Sequence, residues 1–183
     1  MTWIVGTMLA ALLLGAVWVF NRLVRLRNQM RSAWADVDVQ LTRRHDLVPP
    51  LVTAVKAYAG HERALLEAVT DLRDQALTID GPARLAPVEA ALERAVTRVL
   101  ALEEAYPDLK ASETFLQLQR DLVRIEEQLQ YARRYYNGAV RDYNDAVQRV
   151  PDLLIAQAFG FGPGEFYQAH EDERPAVRVE TTR

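Results

Sequence analysis

An uncharged apolar run near the N-terminus restricts this chain more than any other feature of the sequence. Residues Ile4 to Phe20 read IVGTMLAALLLGAVWVF, in which Thr7 is the only polar side chain. A hydrocarbon core about 30 Å thick takes roughly 20 helical residues, and about 17 is near the lower limit. We therefore predict that residues 1–20 form a short N-terminus followed by a transmembrane helix.

Side chains at the two ends of this run suit the interfaces of a bilayer. Trp3 and Trp18 lie where aromatic belts are expected, and Arg22 and Arg25 can extend toward the headgroups. We predict all four as membrane-interface residues. The alternative is a cleaved signal peptide, which has basic residues before its apolar stretch and a small-residue cleavage site after it. Here the basic segment NRLVRLR follows the run directly, which favours a retained anchor.

The arginines that follow the run also predict its orientation. Arg22, Arg25, Arg27 and Arg31 all lie on its C-terminal side. Positive charges that flank a membrane span tend to remain cytoplasmic. We therefore expect a single-pass protein of the cytoplasmic membrane, with its N-terminus outside and its C-terminal domain in the cytoplasm.

The rest of the chain has the pattern of an all-α protein. Apolar residues recur at three- and four-residue steps, and no sustained alternating pattern indicates a strand. We predict that the transmembrane helix continues into a juxtamembrane stalk over residues 21–48. An antiparallel bundle of long helices, resembling a coiled coil, should follow over residues 49–167, and a disordered polar tail over residues 168–183.

Prolines and glycines set the predicted helix boundaries. Pro49 and Pro50 predict a break or kink after the stalk, and a second helix is then expected over residues 51–77. The Asp80-Gly81-Pro82 turn precedes a third helix over residues 87–106. A fourth helix is predicted over residues 110–149, and a short one after Pro151.

Candidate catalytic and metal-binding patterns are incomplete. His61 has Leu65 four residues later, where a zinc-protease helix needs a second histidine. His45 and Asp46 lack a nucleophile or a third ligand. The sequence contains no Cys, which excludes thiolate chemistry. The glycines at 160, 162 and 164 follow a helix instead of a strand, so we interpret them as a turn. We therefore predict no catalytic, cofactor or metal site, and no enzyme.

Two Tyr-Asn pairs lie seven residues apart on the predicted fourth helix. Tyr136-Asn137 and Tyr143-Asn144 share one helical face because seven residues make about two turns. Packing within the bundle, with hydrogen-bonded amides, is the leading interpretation, and a partner or self-association surface is the second. Binding of single-stranded nucleic acid is the least favoured, because the chain carries 22 Lys+Arg against 25 Asp+Glu.

Several ordered motifs resemble the LemA family of bacterial membrane-anchored helical proteins, over about residues 21–167. The resemblance is carried by NRLVRLRN (21–28), AWADVDVQLTRRHDLVP (33–49), YAGHE (58–62), EAYPDLKAS (104–112), FLQLQRDL (115–122), YNGAVRDYN (136–144) and FGF (159–161). Pro50 departs from the family's usual polar residue, and Asp121 from its usual Glu. The resemblance implies a bacterial inner-membrane protein with one span and a cytoplasmic bundle. It also implies an association with membrane-embedded zinc metalloproteases or magnetosome membranes.

These observations lead to two hypotheses for function. The first is a non-catalytic membrane scaffold or adaptor that works with a membrane protease or an envelope assembly. The second is a membrane-anchored sensor that binds a small ligand between its helices. We also predict a homo-oligomer, because the stalk lacks an obvious intramolecular partner. Its candidate interaction surface comprises Leu23, Leu26, Met30, Trp34, Tyr136, Asn137, Tyr143 and Asn144.

Overall fold

The computed structural model describes residues 2–168, and these contain helices and no strand. The all-α class predicted from the sequence is confirmed. The predicted disordered tail lies outside the described residues, apart from Gln168. The elements are α1 (Thr2–Lys56), α2 (Arg63–Ala76), α3 (Pro82–Leu100), a 3₁₀ helix (Ala101–Glu104), α4 (Pro107–Lys110), α5 (Glu113–Gln148) and α6 (Asp152–Ala158).

The described residues divide into two compact units. Unit 1 comprises residues 2–47 and Leu116–Phe166, and unit 2 comprises Val48–Phe115 with residues 167–168. The helices α1 and α5 contribute residues to both units. The candidate site residues predicted from the sequence all belong to unit 1.

The helix α1 continues through Pro49 and Pro50, so a break at this point is wrong, whereas a kink there stays a prediction. A proline inside a helix removes one backbone hydrogen bond and costs roughly 3 kcal/mol or more. Three aliphatic side chains next to the pair, Val48, Leu51 and Val55, are almost completely buried in unit 2. Each contributes about 1.5–3 kcal/mol by burial, which offsets the proline cost and keeps this segment helical.

The predicted second helix over residues 51–77 is also wrong, because its first part belongs to α1. A turn over residues 57–62 separates α1 from α2, and Gly60 lies in this turn and not inside a helix. A Cβ atom at Gly60 would approach the Lys56 carbonyl oxygen to 3.3 Å. Glycine therefore fits the tight exit from α1 better than a larger residue.

The helix α3 begins five residues earlier than predicted. Gly81 has φ of 92°, which glycine adopts without steric cost, and Pro82 occupies the start of the helix, where its missing N–H is not needed. Pro87, predicted as the start, lies inside the helix. The helix α3 ends at Leu100, before the predicted end at Tyr106. The 3₁₀ helix follows it directly, and α4, a single turn, begins at Pro107.

In unit 1, α1 and α5 run antiparallel. Leu23 packs in one cluster with Tyr143 and Val147. Trp34 contacts the ring of Tyr136. Farther along, Arg44 donates a hydrogen bond to Glu126. Residue numbers therefore increase along α1 as the numbers of their contacts on α5 decrease. These contacts extend over roughly 30 Å of α1, at about 1.5 Å per residue. This is the antiparallel packing of long helices that the apolar pattern predicts.

Unit 2 has its own core, which is mainly aliphatic. The helices α2 and α3 pack against each other and are joined by a short turn. Fully buried residues include Val69 on α2, Leu92 on α3, Leu109 on α4 and Phe115 at the start of α5. At the surface of this unit, the Tyr106 hydroxyl donates a hydrogen bond to Glu62 Oε1 at 3.2 Å.

Candidate functional site

The apolar N-terminal part of α1 is exposed along almost its whole length. Its most apolar 18-residue window has a mean hydropathy of 2.2, and only 6% of the window is buried. Trp3 and Trp18, near its two ends, are 87% and 65% exposed. A helix in the core of a soluble protein would be covered by its neighbours, whereas this segment has the length, composition and exposure of a membrane anchor.

An ion pair joins α6 to the end of this apolar segment. Arg22 lies two residues after Phe20, and its guanidinium pairs with the carboxylate of Asp152 at the start of α6. Asp152 is 2% exposed, and a carboxylate this deeply buried needs a charged partner. Arg22 therefore has a structural contact in addition to its predicted position at the interface. Arg25 is exposed, as a headgroup contact requires.

Aromatic rings from the turn after α6 also pack on the end of the segment. Phe20 makes edge-to-face contacts with Phe159 and Phe161, at centroid distances of 5.0 and 5.6 Å. The guanidinium of Arg27 lies over the ring of Phe161, 4.7 Å from its centroid. Such contacts add to the free energy gained by burial of the rings. The last residue of the apolar run is thus part of the folded structure of unit 1.

The predicted stalk has an intramolecular partner. Leu23 is completely buried among Tyr143, Ala146 and Val147 of α5, and Leu26 and Met30 pack against the same cluster. The premise that this face of α1 is uncovered is therefore wrong. The sequence pattern showed that residues 21–47 have an apolar stripe, but it did not show that the 36-residue α5 returns along it.

The two Tyr-Asn pairs hold the segment after α6 against α5. The Tyr136 hydroxyl donates to the Glu165 carbonyl oxygen at 2.7 Å. The Asn144 amide donates to the carbonyl oxygen of Gly164 at 3.0 Å and accepts from its N–H at 2.7 Å. Because the amide satisfies both backbone groups of one residue, it fixes the position of the segment closely. These contacts support the packing interpretation of the two pairs.

Burial affects the acidity of both tyrosines. Burial, followed by the nearby Glu165 charge, raises the pKa of Tyr136 to about 12. Burial also raises the pKa of Tyr143, although the positive charges of Arg27 and Arg31 act in the opposite direction. Both phenols are therefore neutral at physiological pH and act as hydrogen-bonding and packing groups.

The structure brings together the eight residues predicted as an interaction surface, but inside unit 1. Tyr136 and Tyr143 are 3% and 2% exposed, and Leu23 is fully buried. The half-buried Asn137 also has an interaction partner. Leu23, Tyr136 and Tyr143 therefore belong to the core of unit 1, whereas the other five residues of the predicted surface are partly exposed. Homo-oligomerisation and the interaction surface both stay predictions.

A partly buried polar cluster between α1 and α5 was missed in the sequence. Glu126 accepts hydrogen bonds from Arg44 at 3.1 Å and from Gln130 at 2.8 Å, and Arg133 lies 3.6 Å from its carboxylate. Arg44 is 3% exposed. One signal was present: Arg44 follows Val37 and Leu41 at helical spacing, so a charged residue occupies a position on the apolar stripe.

Other predicted patterns have simple structural roles. Within residues 2–168, no group of three or more His, Asp or Glu side chains is arranged to hold a metal ion. His45 is buried in unit 1, whereas Asp46 next to it is exposed. Gly160 has φ of 69°, a turn conformation that suits glycine. At Gly164, a Cβ atom would collide with the Met30 sulfur, so glycine permits close approach to α1.

Comparison with known proteins identifies relatives over most of this chain. The chain is 26% identical over 164 residues to Protein LemA of Metamycoplasma hominis, which covers 88% of this chain and 74% of that protein. It is 22% identical to Magnetosome protein MamQ 2 of Paramagnetospirillum magneticum, over 86% of this chain and 66% of that protein. Magnetosome protein MamQ of Magnetospirillum gryphiswaldense is 21% identical with the same coverage. None of these names is that of an enzyme family.

The family comparison covers most of the folded part of the chain. The model of the LemA family matches residues 33–180, which include α1 from residue 33 to its end and every later described helix. The matched region contains both Tyr-Asn pairs and the segment that they hold. The chain therefore belongs to the LemA family.

Proposed function

We propose that this protein is a non-catalytic, membrane-anchored scaffold or adaptor. The observation that carries the proposal is an exposed stripe on α5 of unit 1, which faces away from the α1 packing. Val123, Tyr131 and Tyr135 are 52%, 69% and 54% exposed. Tyr131 and Tyr135 are about one turn apart and share a helical face, and Val123 lies about two turns before Tyr131, roughly 80° around the helix from it. Exposed aromatic side chains are enriched at protein–protein interfaces.

The anchor gives this stripe a fixed place at the membrane. We propose that residues 4–20 span the cytoplasmic membrane with the N-terminus outside, supported by Arg22, Arg25, Arg27 and Arg31 on one side of the run. Because α1 is a continuous helix from Thr2 to Lys56, the α5 stripe of unit 1 is held near the membrane and is not tethered by a flexible linker.

Cysteine labelling tests the orientation directly, since the chain has no native Cys. Single cysteines replace Thr2 and the exposed Asp38 of α1. A membrane-impermeant maleimide should label Thr2→Cys in intact cells and Asp38→Cys only after permeabilisation. Labelling of Asp38→Cys alone in intact cells would reverse the proposed orientation.

Site-specific photo-cross-linking tests the proposed partner surface. A photoreactive phenylalanine analogue replaces Tyr131 or Tyr135, and the matched control replaces Asp38, which is exposed on α1. In native membranes, we expect the same protein adduct from positions 131 and 135 and no such adduct from position 38. Adding Tyr131→Asp to the variant with the analogue at position 135 should abolish its adduct. Equal adducts at all three positions, or none, would contradict the proposed surface.

The identity of the cross-linked protein distinguishes the proposed partners. An adduct with a membrane metalloprotease would support the adaptor role, and an adduct with a second copy of the chain would support the predicted homo-oligomer. Both partners are proposals that rest on the exposed α5 stripe and on the anchor.

A ligand sensor is the second candidate, favoured by an open cleft of about 490 Å³ in unit 1. Arg43 and Asp46 of α1 and Asp121 and Arg124 of α5 line it together with apolar side chains. Its volume is in the range of small-molecule sites, and its mixed charges suit a zwitterionic or polar ligand. A ligand-dependent rise in melting temperature that Arg124→Ala abolishes would favour the sensor over the scaffold.

A further inference from the structure

An exposed apolar edge follows α5 and lies beside the end of the membrane anchor. Val150, Leu154 and Phe159 are 68%, 63% and 62% exposed, although each is a large apolar side chain. Leu154 and Ala158, also exposed, are four residues apart on α6, and Val150 and Phe159 flank this helix on its two sides in the sequence. We call Val150, Leu154, Ala158 and Phe159 the α6 edge.

Three contacts within unit 1 place the α6 edge at the level where the apolar run ends. Phe159 packs edge-to-face on Phe20, the last residue of that run. Ala156 shares a buried cluster with Val19. Asp152 pairs with Arg22. The other face of α6 is therefore fixed to the anchor helix, and the α6 edge remains uncovered.

The length of the span brings this level to the bilayer surface. Residues 4–20 make about 25 Å of helix at roughly 1.5 Å per residue, which is slightly less than a hydrocarbon core of about 30 Å. The hydrocarbon boundary therefore lies at or just beyond Phe20. Since α6 is only about 10 Å long, none of its residues is far from this boundary.

The composition of the segment suits the interface of a bilayer. From Leu153 to Gly164 the sequence is LLIAQAFGFGPG, which contains no charged residue. The neighbouring exposed cations are Arg25 on α1 and Arg149 just before Val150. Apolar side chains flanked by arginines are characteristic of segments that lie in the headgroup region.

We propose that the α6 edge inserts into the membrane interface and is a second lipid contact of unit 1, beside the transmembrane anchor. The occupant of this apolar surface is therefore the bilayer itself. The proposal rests on the anchoring of residues 4–20. Its consequence is that unit 1 is held against the membrane at two points, so that α5 keeps a defined orientation relative to the lipid surface.

Lipid quenching of single labelled cysteines tests the proposal in the full-length chain. Leu154→Cys and Val150→Cys carry an environment-sensitive fluorophore, and the protein is reconstituted into phosphatidylcholine vesicles containing phosphatidylglycerol, with or without brominated acyl chains. Leu12→Cys is the control inside the anchor. Val123→Cys is the matched control, an exposed apolar residue on α5. All four positions are exposed, so the substitutions do not remove core packing.

We expect the labels at Val150 and Leu154 to have blue-shifted emission and to be quenched by brominated lipid. Their quenching should be weaker than that of the label at Leu12 and stronger than that of the label at Val123. Quenching at Leu154 no greater than at Val123 would overturn the proposal. A blue shift without quenching would also overturn it, because it would show that a protein covers the edge. If Leu12 itself is not quenched, the anchor fails, and this inference fails with it.

Discussion

Unit 1 and unit 2 have similar helical patterns in the sequence but different cores. Unit 1 buries Tyr136, Tyr143 and Phe161 together with the charged Arg44 and Asp152. The core of unit 2 is mostly aliphatic. Hydrogen bonds and ion pairs require specific partners at specific positions, whereas apolar burial is non-directional. The comparison indicates that several directional polar contacts fix the α1–α5 register in unit 1. Aliphatic burial predominates in unit 2, whose described core includes one charged side chain, Glu89, with an interaction partner.

The largest expected effect is the loss of a buried aromatic ring from unit 1. Tyr143→Ala removes a side chain that is 2% exposed and packs on Leu23. Truncation of a buried aromatic residue costs about 3–5 kcal/mol. Hydrogen exchange followed by mass spectrometry should show lost protection in α5 near Tyr143. The control Tyr135→Ala removes a ring that is 54% exposed and should change the free energy of unfolding by less than about 0.5 kcal/mol.

The corresponding change in unit 2 is Leu92→Ala, at a fully buried position of α3. It should cost about 2–5 kcal/mol because it removes buried methyl groups and leaves a cavity. The same exchange measurement should show the lost protection in α2 and α3. If Tyr143→Ala and Leu92→Ala lose protection from exchange over the same residues, the two units do not differ in the way that their cores suggest.

Asn144→Ala sharpens the comparison, because it removes hydrogen bonds and little apolar area. The N–H and carbonyl of Gly164 both lose their partner. Leaving such partly buried groups unpaired costs about 1–3 kcal/mol. Urea unfolding in detergent should show this loss, and exchange of the Gly164 amide should accelerate. An unchanged Gly164 amide would mean that Asn144 does not hold the segment.

Tyr136→Phe should have the smallest effect at neutral pH, about 0.5–1.5 kcal/mol for one hydrogen bond. Its pH dependence is more informative. The folded pKa of about 12 is above the unfolded value of about 10. Stability from the neutral phenol is therefore fully present below pH 10 and is lost as pH rises toward 12. The wild-type melting temperature should fall more steeply over this range than that of Tyr136→Phe, and equal slopes would contradict the assignment.

The sequence predicted the features that depend on local pattern. The apolar run from Ile4 to Phe20, the Gly81-Pro82 turn and the absence of strand patterns were sufficient for the anchor candidate and the all-α class. The Tyr-Asn spacing correctly placed both pairs on one face of α5. It could not identify Glu165 and Gly164 as the hydrogen-bond partners, because those contacts span 29 and 20 residues.

The errors arose where tertiary packing outweighed local preference. Pro49 and Pro50 disfavour a helix by themselves, but burial of Leu51 and Val55 keeps α1 intact. The prediction that the stalk lacks a partner is wrong because the apolar pattern of one helix does not show which other helix covers it. The pairing of Arg22 with Asp152 was not predicted, because 130 positions in the sequence separate the two residues. The position of Arg22 at the membrane interface stays a prediction.

A cross-link between the anchor and the segment after α6 tests most directly whether unit 1 is built on the end of the apolar run. The double variant Phe20→Cys/Phe159→Cys places thiols at two positions whose wild-type ring centroids lie 5.0 Å apart. In membranes, a short bifunctional thiol reagent should give a cross-linked monomer, whereas Phe20→Cys/Val123→Cys should not. Cross-linked dimers without the monomeric product, or no product, would contradict the intramolecular packing of unit 1 on its anchor.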